Sequence, residues 1–391
     1  MSTLSLSQPT YDLGGVEEPT GDELAKMQEE DYVLHARGGA LSKISVEKSV
    51  LPHDPFGHTQ TIELAQGPDG AIYANLTTVM CKSTDGGRTW QAHDTADRDW
   101  IVKTGQEPHT TGAAGSVAVL EDDRFIGIRA VGEDEHQKLV VFASDDQWRT
   151  RQPMVEIDNP MQCPYRDAGA ICRREPDALL VPIESRYRQW RDPTYVHCST
   201  DGGRTWTGPT MQQPVGGSFF GSFCYENMIA TLPSGRLLGV SRYHGPVMPR
   251  WPVINPGYAP FCKTVFLVDS TDGGETWQNL RPLTNVFGQC HGYAVALGDG
   301  SVIVTHDHRY PPGTPCGRAM VSRDEAQTWQ DEVYYLYFGK LQSGYSQSIV
   351  LEDDVILTVG AVAHDRADGP EVYTSWCGHT AMTAIRWKLI D

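Results

Sequence analysis

An eight-residue segment that recurs along the chain constrains the fold more than any other feature of the sequence. The segment Ser-Thr-Asp-Gly-Gly-Arg-Thr-Trp occupies residues 83–90 and recurs unchanged at residues 199–206. A copy with one substitution lies at residues 270–277, and eroded copies lie at residues 322–329 and 144–148. A spacing of about 50 to 70 residues is typical of a repeat architecture, in which each repeat is one supersecondary unit.

The composition of this segment predicts a tight turn between two strands. Ser and Asp side chains hydrogen-bond to nearby backbone groups, and Asp-Gly-Gly supplies the positive φ angles that a turn between twisted strands requires. The Trp side chain anchors the turn against its sheet. We therefore expect every copy to be structural, with none of its residues in the functional site.

The turn resembles the Asp-box, also called the BNR repeat, of the sialidase superfamily, whose pattern is Ser-x-Asp-x-Gly-x-Thr-Trp. Three full copies carry the resemblance, at residues 83–90, 199–206 and 270–277. The resemblance implies an all-β, sialidase-like β-propeller. In that fold each box joins the third and fourth strands of a blade, on the face away from the active site.

A second repeat counts the blades. It consists of an apolar strand, a turn containing Gly or Asp, and a second apolar strand. Its six copies lie at residues 61–74, 115–128, 169–183, 227–241, 292–305 and 346–360. Six copies predict a six-bladed β-propeller, and five of them are followed by a full or eroded turn.

The ends of the chain are expected to close the propeller. We expect an N-terminal arm over residues 1–37, with a short helix at 22–28 capped by Thr20 or Asp22. Residues 38–391 are then one propeller domain. Within it, an alternating strand at 40–46 is expected to pair with the C-terminal strand at 382–389.

Composition excludes several classes of partner. A net charge of −18 without a Lys/Arg run argues against nucleic acid. No apolar run approaches the roughly 18 residues of a membrane helix, so no membrane partner is expected. Residues 1–21 show no basic segment followed by an apolar one, and the nine cysteines form no zinc-type CxxC pairs, so we expect a cytoplasmic protein with reduced thiols. No cofactor is expected, and the oligomeric state is left open.

In a propeller the innermost strand of each blade starts at the mouth of the pocket, so residues just before each strand pair should converge near the axis. These residues are His58, Gln60, His109, Arg166, Asp167, Glu226, His291 and Tyr345. The returning strands bring Arg242, His308 and Arg309 to the same face. So many ionisable groups are costly to desolvate as packing alone, so the ring is the candidate site.

Residues 224–242 resemble the sialidase pattern of a Glu, a strand, a Gly turn and a returning strand that ends in Arg, which assigns roles to Glu226 and Arg242. The segment 343–351 resembles the Tyr-Ser strand that delivers the family's nucleophile, here Tyr345. Arg318 resembles the third arginine of the family's substrate clamp. The resemblance implies an exo-acting, retaining glycoside hydrolase whose partner is an acidic or modified terminal sugar.

The chemistry of this pairing follows from general principles. A phenol has an unperturbed pKa of about 10, so Tyr345 attacks only when a carboxylate such as Glu226 takes its proton. A neutral phenol approaches an anomeric carbon that bears a carboxylate without charge repulsion. This is why sialidases depart from the two-carboxylate rule of glycosidases.

Two departures from the family pattern leave alternatives open. Residues 60–62 are Gln-Thr-Ile where the family has Arg-Ile-Pro, and residues 75–78 leave almost no loop for the family's acidic Asp. A histidine is then a candidate proton donor, with His58 and His291 the candidate catalytic residues and His109 a further one. Alternatively, Tyr, His and Arg suit a lyase that eliminates next to a uronate carboxylate. A non-catalytic glycan-binding propeller is the second alternative.

The run His306-Asp307-His308-Arg309 raises the question of a metal site. Alternate residues of a strand share one face, so His306 and His308 form a conceivable ligand pair. Because the spacing fixes no third ligand, we predict no metal.

Overall fold

The computed structural model describes residues 18–52, 62–76, 79–94, 116–131, 138–157, 165–185, 194–211, 223–246, 261–283, 289–308, 316–339, 343–363 and 380–390. Their strands form six antiparallel sheets of four to six strands each. The inner strands of all six sheets line one central cavity. The chain is therefore a six-bladed β-propeller, which confirms the fold class predicted from the sequence. No helix within these ranges is long and apolar enough to cross a membrane.

The first described elements are one helix and three strands. They are α1 (Gly21–Glu29), β1 (Tyr32–Arg37), β2 (Ala40–Ser45) and β3 (Glu47–Leu51). The helix predicted at 22–28 is thus present, and a capping box starts it: the Thr20 hydroxyl accepts from the Glu23 N–H at 3.3 Å, and the Glu23 carboxylate accepts from the Thr20 N–H at 2.8 Å.

The first three blades contain the next thirteen strands in chain order. Blade one contains β4 (Glu63–Gln66), β5 (Ile72–Asn75), β6 (Met80–Ser83) and β7 (Gln91–His93). Blade two contains β8 (Ser116–Val119), β9 (Phe125–Val131), β10 (Lys138–Ser144) and β11 (Gln152–Ile157). Blade three contains β12 (Tyr165–Ala168), β13 (Cys172–Glu175), β14 (Ala178–Ser185), β15 (Thr194–Ser199) and β16 (Thr207–Met211), and both β12 and β13 pair with β14.

The last three blades contain the remaining strands. Blade four contains β17 (Phe223–Thr231), β18 (Leu237–Pro246), β19 (Phe261–Ser270) and β20 (Gln278–Pro282). Blade five contains β21 (Gln289–Ala296), β22 (Val302–His308), β23 (Cys316–Ser322) and β24 (Glu332–Tyr337). Blade six contains β25 (Ser343–Val350), β26 (Ile356–Ala363) and β27 (Thr380–Trp387), with a 3₁₀ helix at Glu352–Asp354.

The N-terminal strands complete blades five and six. β3 pairs with β27, with Met382 opposite Leu51 and Arg386 opposite Glu47, so the two ends of the chain meet in blade six. The prediction that residues 40–46 would pair with the C-terminal strand was wrong. Ala40–Ser45 pairs with β1, and β1 pairs with β24 in blade five. The boundary expected after residue 37 therefore falls inside a hairpin.

The recurring turn joins the third and fourth strands in blades one to five, as the resemblance implied. In the copy at 270–277, the Ser270 hydroxyl accepts from the Gly274 N–H at 2.9 Å, and Asp272 accepts from the Thr276 N–H at 2.9 Å. The hydroxyl and backbone N–H of Thr276 lower the pKa of Asp272 to about 2. Gly273 and Gly274 adopt φ angles of 75° and 97°, the left-handed values that favour glycine.

Hydrogen bonds between neighbouring inner strands fix how the blades meet at the axis. The Glu63 carboxylate of blade one accepts from the Val117 N–H of blade two at 2.9 Å. The Ser116 hydroxyl of blade two accepts from the Ile171 N–H ahead of β13 at 2.7 Å. These bonds hold the inner strands of blades one to three, which precede the candidate site, in fixed positions relative to one another.

Candidate active site

The inner strands of blades three to six each contain a β-bulge near their first residues. The ladder register shifts between Tyr165 and Ala168, Tyr225 and Met228, Cys290 and Tyr293, and Ser343 and Ser346. In each case two inner-strand residues face one residue of the second strand. Bulges occur next to active sites, where they redirect side chains.

The bulged positions are the candidate residues that the sequence placed at the ends of these strands. They are Arg166 and Asp167 in blade three, Glu226 in blade four, His291 in blade five and Tyr345 in blade six. For Arg166, Asp167 and Glu226 only the backbone is described. The side chains of His291 and Tyr345 are described and can be placed relative to each other.

Four predicted residues lie outside the described ranges. They are His58, Gln60, His109 and Arg309. Their roles, and the contact expected between Tyr345 and the Glu226 carboxylate, stay predictions.

His291 lies at the centre of the described part of the site. It is 4% exposed and has a φ of 52°, a strained value for a residue other than glycine. Its Nδ1 atom is 3.0 Å from Oδ1 of Asp307 on the second strand of the same blade. Its Nε2 atom is 3.0 Å from Nη1 of Arg242 in blade four. A side chain from each of two blades therefore holds the imidazole.

The donor inventory assigns the proton of this imidazole. Arginine can only donate hydrogen bonds, so Nε2 accepts from Arg242 and the ring proton resides on Nδ1, where Asp307 accepts it. The neutral ring of His291 therefore lies between two buried charged groups, the Asp307 carboxylate and the Arg242 guanidinium.

Tyr345 brings blade six into the same cluster. Its ring centroid is 3.5 Å from that of His291, with 31° between the planes. The Tyr345 ring is partly buried and packs against the apolar cluster between blades six and one. Arg242, His291 and Tyr345, predicted separately from three segments, thus meet in three consecutive blades.

Arg318 has a different partner from the one expected. The sequence assigned it to a substrate's anionic group, whereas its Nη1 and Nη2 atoms donate to the two carboxylate oxygens of Glu18, at 2.6 and 2.8 Å. Arg318 is 1% exposed. Its strand neighbour across the ladder is His306, not Asp307, so it lies on the face of blade five that turns away from Asp307.

His306 and His308 are both buried on the second strand of blade five. Burial, followed by the charge of Arg318, lowers the pKa of His306 to about 4. Within the described ranges no group of three or more His, Cys, Asp or Glu side chains could hold a metal ion. His308, predicted to bind substrate, lies opposite Cys316 in the ladder.

Asp307 is the residue that sequence reasoning missed. It lies between His306 and His308, the pair considered as metal ligands, and its side chain points to the opposite face of the strand. The bulge at His291 brings the imidazole to that carboxylate. The signal in the sequence was the position of Asp307 at the end of a returning strand.

The axis also contains a cavity of about 530 Å³. Its lining comes from the inner strands of all six blades and includes Val119, Thr231 and Val350 at the last residues of β8, β17 and β25. Gln347 donates to the hydroxyl of Tyr293, which also lines this cavity, and accepts from the N–H of Leu64. These bonds tie blades five, six and one two residues beyond His291 and Tyr345.

The chain is similar to known proteins in its fold. No protein-family model matches the chain, and a search of curated proteins finds no match by sequence. Among solved structures, the chain is similar to a GH93 α-L-arabinofuranosidase of Fusarium graminearum in complex with arabinobiose, at TM-score 0.59 and 14% identity over 88% of this chain and 98% of the other. An α-L-arabinanase of Penicillium chrysogenum complexed with arabinobiose gives 0.58 and 13%, over 86% and 96%.

The endosialidase of phage phi92 is similar as well, at TM-score 0.57 and 10% identity over 90% of this chain and 71% of the other. At such identities the likeness shows the fold. It agrees with the six-bladed propeller derived from the strand pairing.

Proposed function

We propose that this protein is a carbohydrate-active enzyme, an exo-acting and retaining glycoside hydrolase that acts on an acidic or otherwise modified terminal sugar. The observation that carries the proposal is the ring contact between Tyr345 and His291, with His291 held between Asp307 and Arg242. A phenol next to an oriented imidazole is a nucleophile next to a proton carrier. Solved structures of similar fold, of an arabinofuranosidase, an arabinanase and an endosialidase, support a sugar as substrate.

In the first step of the proposed reaction, the Tyr345 oxygen bonds to the anomeric carbon as the glycosidic bond breaks. Glu226 takes the phenol proton, and His291 gives a proton from Nε2 to the leaving oxygen. Asp307 stabilises the imidazolium that this role requires.

In the second step, water replaces the phenol. His291 takes a proton from the attacking water, the bond from Tyr345 to the sugar breaks, and Glu226 returns the proton to the phenolate. The sum is the addition of one water and retention of configuration.

The charge of Arg242 is the reason to propose an acidic substrate. It is 2% exposed, and its Nη1 atom is 3.0 Å from Nε2 of His291, the proposed proton donor. In the proposed reaction an anionic group of the substrate attracts the guanidinium away from Nε2, and Nε2 takes up a proton from solvent before it donates to the leaving oxygen.

A second candidate is a lyase. The observation that favours it is the contact of two proton carriers, Tyr345 and His291, beside the guanidinium of Arg242. One carrier would remove the proton next to a uronate carboxylate neutralised by Arg242, and the other would protonate the leaving oxygen. The sugar product would then contain a new double bond, and no water would be added.

A product-resolved screen tests the proposal and separates the two reactions. Sialosides, uronosides and arabinosides are incubated with the protein, and the products are analysed by mass spectrometry and ultraviolet absorbance. Products that together gain one water, without new absorbance, support the hydrolase. Absorbance from a conjugated acid with no gain of water assigns the lyase, and no turnover of any class contradicts both.

A further inference from the structure

Three side chains that the structure describes contact the guanidinium of Arg318. Its Nε atom donates to Sγ of Cys316 at 3.3 Å, and its Nη1 and Nη2 atoms donate to the Glu18 carboxylate. The carbon of the guanidinium lies 5.0 Å from the centroid of the Tyr335 ring. Two parallel N–H bonds to one carboxylate are the strongest geometry available to such a pair.

The burial of this pair shows that the pocket is built for a carboxylate. Arg318 is 1% exposed and the Glu18 side chain 29% exposed, so the cation lies beneath its partner. Burial raises the pKa of both the Cys316 thiol and the Tyr335 phenol, which keeps these two groups neutral. A buried cation left without its partner is strongly destabilising, because the charge has lost its water.

The segment that supplies Glu18 is attached to the propeller at further points. Leu24 and Met27 of α1 are buried in the apolar cluster between blades four and five. Gln28 donates to the Thr383 hydroxyl of blade six and accepts from the N–H of Phe338 after β24. Glu18 therefore lies at the start of a segment that spans blades four to six.

We propose that Arg318, Cys316 and Tyr335 form a carboxylate-binding pocket whose ligand in the folded chain is Glu18, and that this contact docks the N-terminal segment onto the propeller. The pocket recognises a monocarboxylate in bidentate geometry. While Glu18 occupies it, Arg318 is not available to a substrate's anionic group. The proposal is independent of any catalytic activity.

Chemical rescue tests the pocket in the full-length chain. In Glu18→Ala, a small carboxylate can take the vacated position, so acetate is the probe. We expect Glu18→Ala to melt about 3–6 °C below the wild type, because buried Arg318 loses its bidentate bond to a carboxylate. Added acetate should raise the melting temperature of Glu18→Ala more than that of the wild type, compared with chloride at equal ionic strength.

Two controls make the result specific. Glu29→Ala removes an exposed carboxylate from the helix that follows Glu18, and it should change neither the melting temperature nor the response to acetate. The double variant Glu18→Ala/Arg318→Gln should lose the response to acetate. An equal response of wild type and Glu18→Ala to acetate would overturn the proposal.

A milder variant covers the case in which Glu18→Ala does not fold. Glu18→Gln keeps the size of the side chain and removes its charge. Hydrogen exchange at the amides of α1 should then rise roughly tenfold or more, since hydrogen bonds to charged groups contribute about 1.5–3 kcal/mol. Amides of β14 in blade three should exchange as in the wild type, and unchanged exchange in α1 would overturn the proposal.

Discussion

Nε2 of His291 accepts a hydrogen bond from Nη1 of Arg242 across the interface between blades four and five, at 3.0 Å. Because the guanidinium cannot accept, this contact fixes the imidazole proton on Nδ1, facing Asp307 at 3.0 Å. A bulge in the inner strand of blade five makes the contact possible, since it turns His291 out of the ladder. The placement of the His291 imidazole between the Asp307 carboxylate and the Arg242 guanidinium therefore follows from one irregular backbone position.

Asp307 is predicted to act through His291. Asp307→Asn keeps an oxygen that can accept from Nδ1 but removes the charge that stabilises imidazolium, so kcat should fall by about 10²-fold or more. Steady-state kinetics checks this.

Glu156→Gln is the matched control for this change. Glu156 pairs with Lys138 at an exposed site on the outer strands of blade two, so its charge should not affect kcat. A kcat of Asp307→Asn equal to that of the wild type would show that Asp307 does not act through the imidazole.

The stability of the protein is predicted to fall between neutral pH and about pH 4 because of His306. Burial lowers the pKa of His306 from 6.5 to about 4, so in this window the unfolded chain binds a proton that the folded chain does not. Stability is therefore lost as pH falls through 6.5 and the loss levels off near 4, amounting to at most about 3 kcal/mol from this residue.

Denaturant unfolding at several pH values tests this, with His306→Gln as the comparison. The variant should show a shallower loss of the free energy of unfolding between pH 7 and 4. Parallel curves for wild type and variant would show that His306 takes up its proton in the folded state.

Alanine substitutions at two glycines distinguish the stability cost of backbone strain from that of a steric clash in the core. Gly70 and Gly87 have φ angles of 79° and 87°, but a Cβ at Gly70 would meet nothing within 4 Å, whereas one at Gly87 would lie 2.8 Å from Cδ1 of Leu357. Gly70→Ala should cost about 1–2 kcal/mol of stability through φ alone. Gly87→Ala should cost about 1–3 kcal/mol more, because Leu357 is in the core between blades six and one. Equal losses in unfolding experiments would contradict the packing at this turn.

The sequence predicted the parts of the fold that local chemistry decides. Each turn of the 83–90 type needs only its own Ser, Asp and Gly residues, and each inner strand pair is a short antiparallel hairpin. Pairing between distant segments was less accessible. Residues 40–46 alternate as a strand does, but β27 pairs with Glu47–Leu51 instead, a choice that tertiary packing decides.

The site shows the same limit. Tyr345, His291 and Arg242 were chosen as candidates because inner and returning strands end at a known place in a propeller, and their functional roles stay predictions. The contact between Arg318 and Glu18 joins residues 300 positions apart, and no local pattern encodes it. Strand alternation drew attention to His306 and His308 as a pair and not to Asp307. The contact of Asp307 with His291 depends on the bulge at His291, which the sequence pattern does not show.

Tyr345 is the proposed nucleophile, and turnover by Tyr345→Phe tests this role most directly. Phenylalanine keeps the ring that contacts His291 and lacks the hydroxyl, so the fold and sugar binding should persist. On a substrate found in the product screen, we predict that kcat/KM falls by about 10²-fold or more with an unchanged melting temperature. Turnover equal to that of the wild type would contradict the role of Tyr345 and with it the proposed chemistry of the site.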